Sequence, residues 1–274
     1  MPGTELMLAI LGSVALLLWG VRMVRTGMTR AFGSLLRQVL ARVRSKPLAF
    51  AAGLGVTGLL QSSTATALLL ASFAGRGLIA LPLALVMMLG ANVGTTLAAQ
   101  IFSLPVIGLW TLLVGFGVLA FMATDSDRAR ATARIAIGFG LMLLSLYHLR
   151  LGAEPLRGSP AFASTLKGLG GDPVFGFVLA TGATWLMHSS LTMVLLVMAL
   201  AGAQAIPPAL ALALVLGANV GGAIAPLTGL AATPPAGRRV AIGNLLMRAA
   251  VALPLLFLVE PCARLLGAIE SDPA

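Results

Sequence analysis

Charge is what this sequence has least of. Charged residues fill 9% of its 274 positions, and only eight are Asp or Glu against 18 Lys and Arg. Soluble domains carry about 25% charged residues, so a chain this apolar (59%, mean hydropathy +1.02) must be solvated largely by lipid. The single cysteine, Cys262, excludes an internal disulfide and a cysteine-based metal cluster. No acidic residue lies inside the long apolar stretches, which removes a carboxylate proton relay. A basic leader is also missing, so Leu6 to Gly20 reads as a retained helix and not a cleaved signal.

The excess of ten positive charges invites a nucleic-acid reading, but its placement argues against one. Seven of the basic residues fall between Arg22 and Lys46 with no acid among them. Met28, Phe32, Leu35, Leu36, Val39, Leu40 and Val43 recur there at helical spacing, opposite the arginines. This predicts an amphipathic helix lying in the headgroup plane, on the cytoplasmic side. The partner it implies is the bilayer, with no nucleic acid.

The chain also repeats itself. Residues 61–99 return at 188–226 with a constant offset of 127 and no gap, and 17 of the 39 positions are identical. Aliphatic matches mean little in apolar sequence. Ser62/Ser189, Ser63/Ser190, Gly75/Gly202 and the block Gly90-Ala91-Asn92-Val93-Gly94 over Gly217-Ala218-Asn219-Val220-Gly221 mean more. A polar set present in duplicate inside apolar sequence is what a transporter needs at a binding site between two repeats.

About 20 apolar residues span the hydrocarbon as helix. Clear spans fall near 5–24, 78–98, 101–122, 133–151, 206–226 and 240–260. Two further stretches, 48–74 and 174–201, carry a Ser-Ser pair in the middle. Each reads either as one crossing with a polar centre or as a re-entrant hairpin with the serines at its tip. The basic loops decide. With hairpins, 22–46, Arg76, 125–134 and Arg238-Arg239 all fall inside. Glu5, the uncharged turn 99–104, the mixed segment 150–172, the tail and both termini then fall outside. This satisfies the positive-inside rule, whereas full crossings would put 22–46 and 125–134 on opposite sides. The expected fold is an all-α membrane protein of two inverted-topology repeats, each with a re-entrant helical hairpin, with about six full crossings in total. Residues 1–274 form a single transmembrane transport domain, with repeat 1 about 5–122 and repeat 2 about 132–260.

At each tip the residues past the turn begin a helix, where Ser and Thr cap well and free N–H groups attract anions. Gln61, Ser62, Ser63 and Thr64, facing His188, Ser189 and Ser190, suit a small tetrahedral oxyanion. The carboxamides of Asn92 and Asn219 could coordinate Na⁺ or donate to the anion, and their flanking glycines permit close approach or a local helix break. Thr95 and Thr96, replaced by Gly222 and Ala223 in the second copy, point to a cation site built mainly by one half. His188 is the titratable group at a tip, in a structural or substrate-contact role. Arg248 sits within the last span, free to snorkel, to bond a carbonyl or to serve an anion path.

The paired motifs QSST…GANVGTT and HSSL…GANVGG resemble those of the sodium-dependent phosphate cotransporters, the type II group and its bacterial relatives, over nearly the whole chain. The resemblance implies phosphate contacts from Ser62, Ser63, Ser189 and Ser190. It makes Gln61, Thr64, Thr66, Asn92, Thr192 and Asn219 candidates for substrate or Na⁺ contacts. Thr64 and Leu191 stand where the family motif has a third Ser, and His188 replaces its second Gln. Many bacterial members carry a PhoU-like domain after the membrane part; the expectation here is a transporter lacking one. The expected function is Na⁺-coupled symport of inorganic phosphate by alternating access in the plasma membrane, with no enzyme activity and with homo-oligomers open. The alternative is a passive channel or exporter for a small oxyanion without Na⁺ coupling. A catalytic pairing of His188 with a neighbouring serine lacks an acidic orienter.

Overall fold

The structure, a computed structural model, describes residues 3–104, 107–157, 172–230 and 233–270, and its regular elements there are all helical. Lipid supplies no hydrogen bonds, so backbone groups satisfied within each segment are what an apolar chain of this kind requires. The first helix, α1, runs without interruption over Gly3–Ala41. At 1.5 Å per residue it is about 58 Å long, nearly twice the thickness of a hydrocarbon core. The basic segment is therefore no separate helix in the headgroup plane. Gly20 and Gly27 do not break the helix; a Cβ at either would strike the backbone of the neighbouring helix α6, Asp127–Arg157. Leu36 and Leu40 are buried in protein, as is Val43 just beyond the helix, and Met28 and Phe32 pack against that core, while Leu35 and Val39 stay exposed.

Helices α1 and α6 run antiparallel. Ser145 Oγ donates to the Ser13 carbonyl at 2.6 Å, Gly20 faces Gly138, and Gly27 faces Ala131. Next come α2 (Lys46–Leu60), α3 (Ser63–Gly75) and α4 (Leu81–Ser103). After α6 the same trio returns as α7 (Pro173–Met187), α8 (Ser190–Gly202) and α9 (Pro208–Gly229). The bounds of α2 and α3 recur in α7 and α8 at the 127-residue offset of the sequence. Proline in the first turn starts α2, α4, α7 and α9, where no N–H partner is lost.

The stretches 48–74 and 174–201 fold as hairpins of two short helices. Thr57 and Thr66, on α2 and α3, have their hydroxyls 2.8 Å apart, whereas nine residues of straight helix would separate them by about 13 Å. Charge placement agrees. Arg30 of α1 and Arg128, Arg130 and Arg134 of α6 line one cavity, so 22–46 and 125–134 lie at the same end of the bundle. Full crossings would have set them at opposite ends.

Five helices are long and apolar enough to cross a membrane: α1, α4, α6, α9 and α10 (Pro235–Leu256). The sixth expected span, 101–122, is shortened. The last turn of α4 takes residues 101–103, and a 3₁₀ turn at Ile107–Leu109 leads into the 14-residue α5, Trp110–Ala123. Gly117 is its one buried residue, and Phe116, Leu119 and Met122 project outward as a lipid-facing surface. Helix α11, Val259–Glu270, follows α10. Of the loops assigned outside, residues 158–171 and the tail beyond 270 lie outside the described residues.

Helix α2 packs on α4 and α7 on α9, while α3 meets α9 and α10, and α4 meets α8. Second arms therefore pack against helices of the other repeat. The glycines of the duplicated block govern this packing. A Cβ on Gly90 or Gly94 would collide with the carbonyl oxygen of Phe50 or Leu54, and one on Gly217 or Gly221 with that of Phe177 or Thr181. These four partners are again equivalent at the 127-residue offset. Close approach is thus what the glycines provide, and α4 and α9 continue through them unbroken.

Candidate functional site

Each hairpin turns on one left-handed residue. Gln61 (φ 51°) donates its N–H to the Thr57 carbonyl at 2.7 Å, and His188 (φ 53°) donates its own to Trp185 at 3.2 Å. The next residue is extended in both copies and caps the following helix. Ser62 Oγ accepts from the Ala65 N–H and Ser189 Oγ from the Thr192 N–H, both at 3.2 Å. As acceptors these oxygens satisfy one orphan donor each. The first N–H groups of α3 and α8 have no intrahelical acceptor. That leaves a donor-rich pair of helix ends suited to an anion.

The two tips then diverge. Thr66 Oγ1 donates to the Ser62 carbonyl at 3.2 Å and meets Thr57 Oγ1 at 2.8 Å. In the second copy Met193 stands where Thr66 does, and Thr184, the counterpart of Thr57, is buried with its hydroxyl unpartnered. Thr192 instead places its hydroxyl 2.8 Å from Ser189 Oγ. Gln61 is 3% exposed, with Oε1 unpartnered, and so is the Ser63 hydroxyl. His188, by contrast, is exposed, its Nδ1 3.1 Å from the Leu186 carbonyl.

Between the repeats lies Arg248 of α10, 6% exposed. Its Nε and Nη2 donate to Asn92 Oδ1 at 3.0 and 2.6 Å, and Nη1 donates to the Asn219 carbonyl at 2.8 Å. Asn92 Nδ2 in turn donates to Asn244 Oδ1 at 3.3 Å. Both expected asparagines meet here, one through its side chain and one through its backbone; the Asn219 residue is itself exposed. Ser190 closes the cluster. A Cβ added to Gly222 would sit 3.1 Å from Ser190 Oγ and 3.3 Å from Arg248 Nη1.

Asn244 is the site residue that sequence reasoning missed, and Arg248 is the one it left open. Their spacing carried the signal, since positions four apart share one helix face. Thr64 is buried in the first turn of α3. Thr95 and Thr96 turn their hydroxyls back to the carbonyls of Ala91 and Asn92, at 3.1 and 3.3 Å, and Thr96 is exposed. They do not join the cluster around Arg248.

Chemically, the arrangement is a fixed positive charge held by neutral oxygens. Among the described residues the one ion pair is Arg130–Asp125, and no carboxylate faces Arg248. A buried cation without an acidic partner leaves room for an anionic ligand.

A Salmonella typhimurium protein named "Putative inorganic phosphate export protein YjbB" is 41% identical over 265 residues, 96% of this chain and 49% of the relative. Its Escherichia coli K12 counterpart is 40% identical over 269 residues, 98% of this chain and 50% of the relative. The chain thus spans about half the length of these curated relatives. A Bacillus subtilis protein, YqeW, is 26% identical over 98% of this chain and 88% of its own length, and its name assigns no function. No solved structure matches. Residues 16–150 and 156–258 match the Na⁺/Pi-cotransporter family, and the chain, a multi-pass membrane protein, belongs to it.

Proposed function

We propose that the chain binds inorganic phosphate between the two hairpin tips and carries it across the membrane by alternating access, coupled to Na⁺. Burial of Arg248 without a carboxylate is the observation that carries this reading. A guanidinium in low dielectric is costly, and carboxamide and carbonyl oxygens offset only part of the cost. A phosphate oxygen pair supplies both the missing charge and a planar match to the fork. Ser62, Ser63, Ser189 and Ser190, with the helix N-termini behind them, take the remaining oxygens.

Charge balance supports coupling. A phosphate dianion against one guanidinium leaves one negative charge, which a single co-bound Na⁺ neutralises. Oxygen acceptors for that ion are the buried, unpartnered Gln61 Oε1 and Ser63 Oγ near the first tip, and Thr184 Oγ1 near the second. Thr66 bonds the Ser62 carbonyl and the Thr57 hydroxyl, and Thr192 the Ser189 hydroxyl, so both act at one remove.

Inverted topology has its own support. Helices α1 and α6 occupy equivalent places in the two repeats and lie antiparallel, as a twofold axis in the membrane plane requires. The termini then face outside and the arginine-lined end faces the cytoplasm.

Radiolabelled phosphate uptake into proteoliposomes tests the reading. Uptake should rise several-fold when an inward Na⁺ gradient replaces choline, and excess sulfate should compete weakly. A second reading is favoured by the relatives' names: phosphate leaving the cell without Na⁺ coupling. Flux identical in Na⁺ and choline would select it.

A further inference from the structure

A second basic site lies apart from the hairpins. Where α1 and α6 emerge from their apolar spans, Arg30, Arg128, Arg130 and Arg134 surround a cavity of about 730 Å³. Among the described residues only Arg130 has an ion-pair partner, the fully exposed Asp125 at 3.1 Å, and Asp127 is the one acid in the lining. Three of the four arginines lie over rings. Arg128 lies over Phe32 at 5.7 Å, and Arg130 and Arg134 lie over Phe121 at 5.8 and 5.4 Å. Arg130 spends its Nε on the Thr124 carbonyl at 2.8 Å and its Nη2 on Asp125, whereas the stacked planes of Arg128 and Arg134 keep their N–H edges free of hydrogen bonds among the described residues. Several such edges around one hollow suit a phosphate ester.

An apolar groove of about 340 Å³ adjoins the cavity and shares Arg30, Phe121 and Arg134 with it. Trp19, Met23, Thr26 and Ile137 line the rest of it together with Arg22, whose guanidinium lies over the Trp19 ring at 5.7 Å. A free phosphate has no use for such a groove, but an acyl chain does. We propose that the cavity holds the headgroup phosphate of an anionic membrane phospholipid, with a chain lying in the groove. The lipid would then bridge α1, α5 and α6 at their charged end, where like charges otherwise repel. This site is independent of how phosphate transport is coupled.

Native mass spectrometry of the full chain in detergent tests the proposal, with phosphatidylglycerol or phosphatidylethanolamine added in turn. The expected result is retention of phosphatidylglycerol at least tenfold tighter than phosphatidylethanolamine, reduced at least tenfold in the Arg30→Gln/Arg134→Gln variant. The charge-matched Arg37→Gln/Arg42→Gln variant should keep wild-type retention. The wild-type lipid comparison needs no variant, so a misfolded mutant cannot rescue or sink it. Equal retention of the two lipids overturns the proposal, as does equal loss in both variants. Displacement of the lipid by glycerol phosphate at comparable concentration also overturns it, because the cavity would then read a free phosphate alone.

Discussion

Arg248 shows why the site had to be found in three dimensions. Its partner Asn92 lies 156 positions away and its carbonyl acceptor, Asn219, 29. No local period joins them; only the Asn244–Arg248 spacing hinted that one helix face was polar. The guanidinium could act as a strut tying α4, α9 and α10, or as a ligand. Removing a charged hydrogen-bond donor from a substrate weakens binding by about 1.5–3 kcal/mol, roughly 10- to 150-fold. Arg248→Gln should therefore raise the phosphate concentration for half-maximal uptake into that range and abolish phosphate-induced thermal stabilisation. Its melting temperature without phosphate should hold or rise, because an uncompensated buried charge has been removed. A clear fall in that temperature, with phosphate stabilisation intact, would make Arg248 the strut. Gln61 allows a similar separation. Glycine tolerates its left-handed φ of 51°, so Gln61→Gly should leave the melting temperature nearly unchanged. Any loss of Na⁺-dependent uptake then reports the carboxamide.

At the level of elements the repeat made most of the fold legible. The constant offset foretold two equivalent hairpins, and their helices begin and end at equivalent residues. Continuity of α1 was not legible, because the basic run at 22–46 resembles a surface helix when its packing partners are unseen. Capping by serine at each tip was legible as well, and Ser62 and Ser189 do cap the helices that follow. Replacing both with Ala removes hydroxyls from the anion and costs about 1 kcal/mol per cap, so lost uptake would be ambiguous. Ser189→Asp keeps the cap, or strengthens it, while setting a negative charge where phosphate docks. It should fold with an unchanged melting temperature and carry no phosphate; normal uptake would remove Ser189 from the site. The glycines divide in the same way. Gly217→Ala drives a methyl into the Phe177 carbonyl and should destabilise by roughly 1–3 kcal/mol. Gly222→Ala presses on Ser190 Oγ and Arg248 Nη1 at 3.1 and 3.3 Å. It should impair phosphate binding more than stability, read as uptake against melting temperature.

Across the whole molecule the question is which parts move. Rocking one repeat bodily against the other would have to open the α1–α6 seam, since these helices belong to different repeats. That seam is the wrong place for sliding. Glycines at 20, 27 and 138 bring backbones together, and the buried Ser145 hydroxyl bonds the Ser13 carbonyl at 2.6 Å. Interdigitated backbones have few alternative registers, so α1 and α6, with α5 against α6, are expected to stay together as a static frame. The hairpins and their partners α4 and α9 would then be the part that moves, with the broken tips as hinges. A cross-link tests this directly. With Cys262→Ser removing the single native thiol, Ser13→Cys and Ser145→Cys place one pair across the seam. Oxidising that pair should leave phosphate flux within about twofold of the reduced protein, because a static frame loses nothing when it is stapled. Flux that stops on oxidation and returns with reductant would place the transport motion at the α1–α6 seam, and the two repeats would then move as whole units.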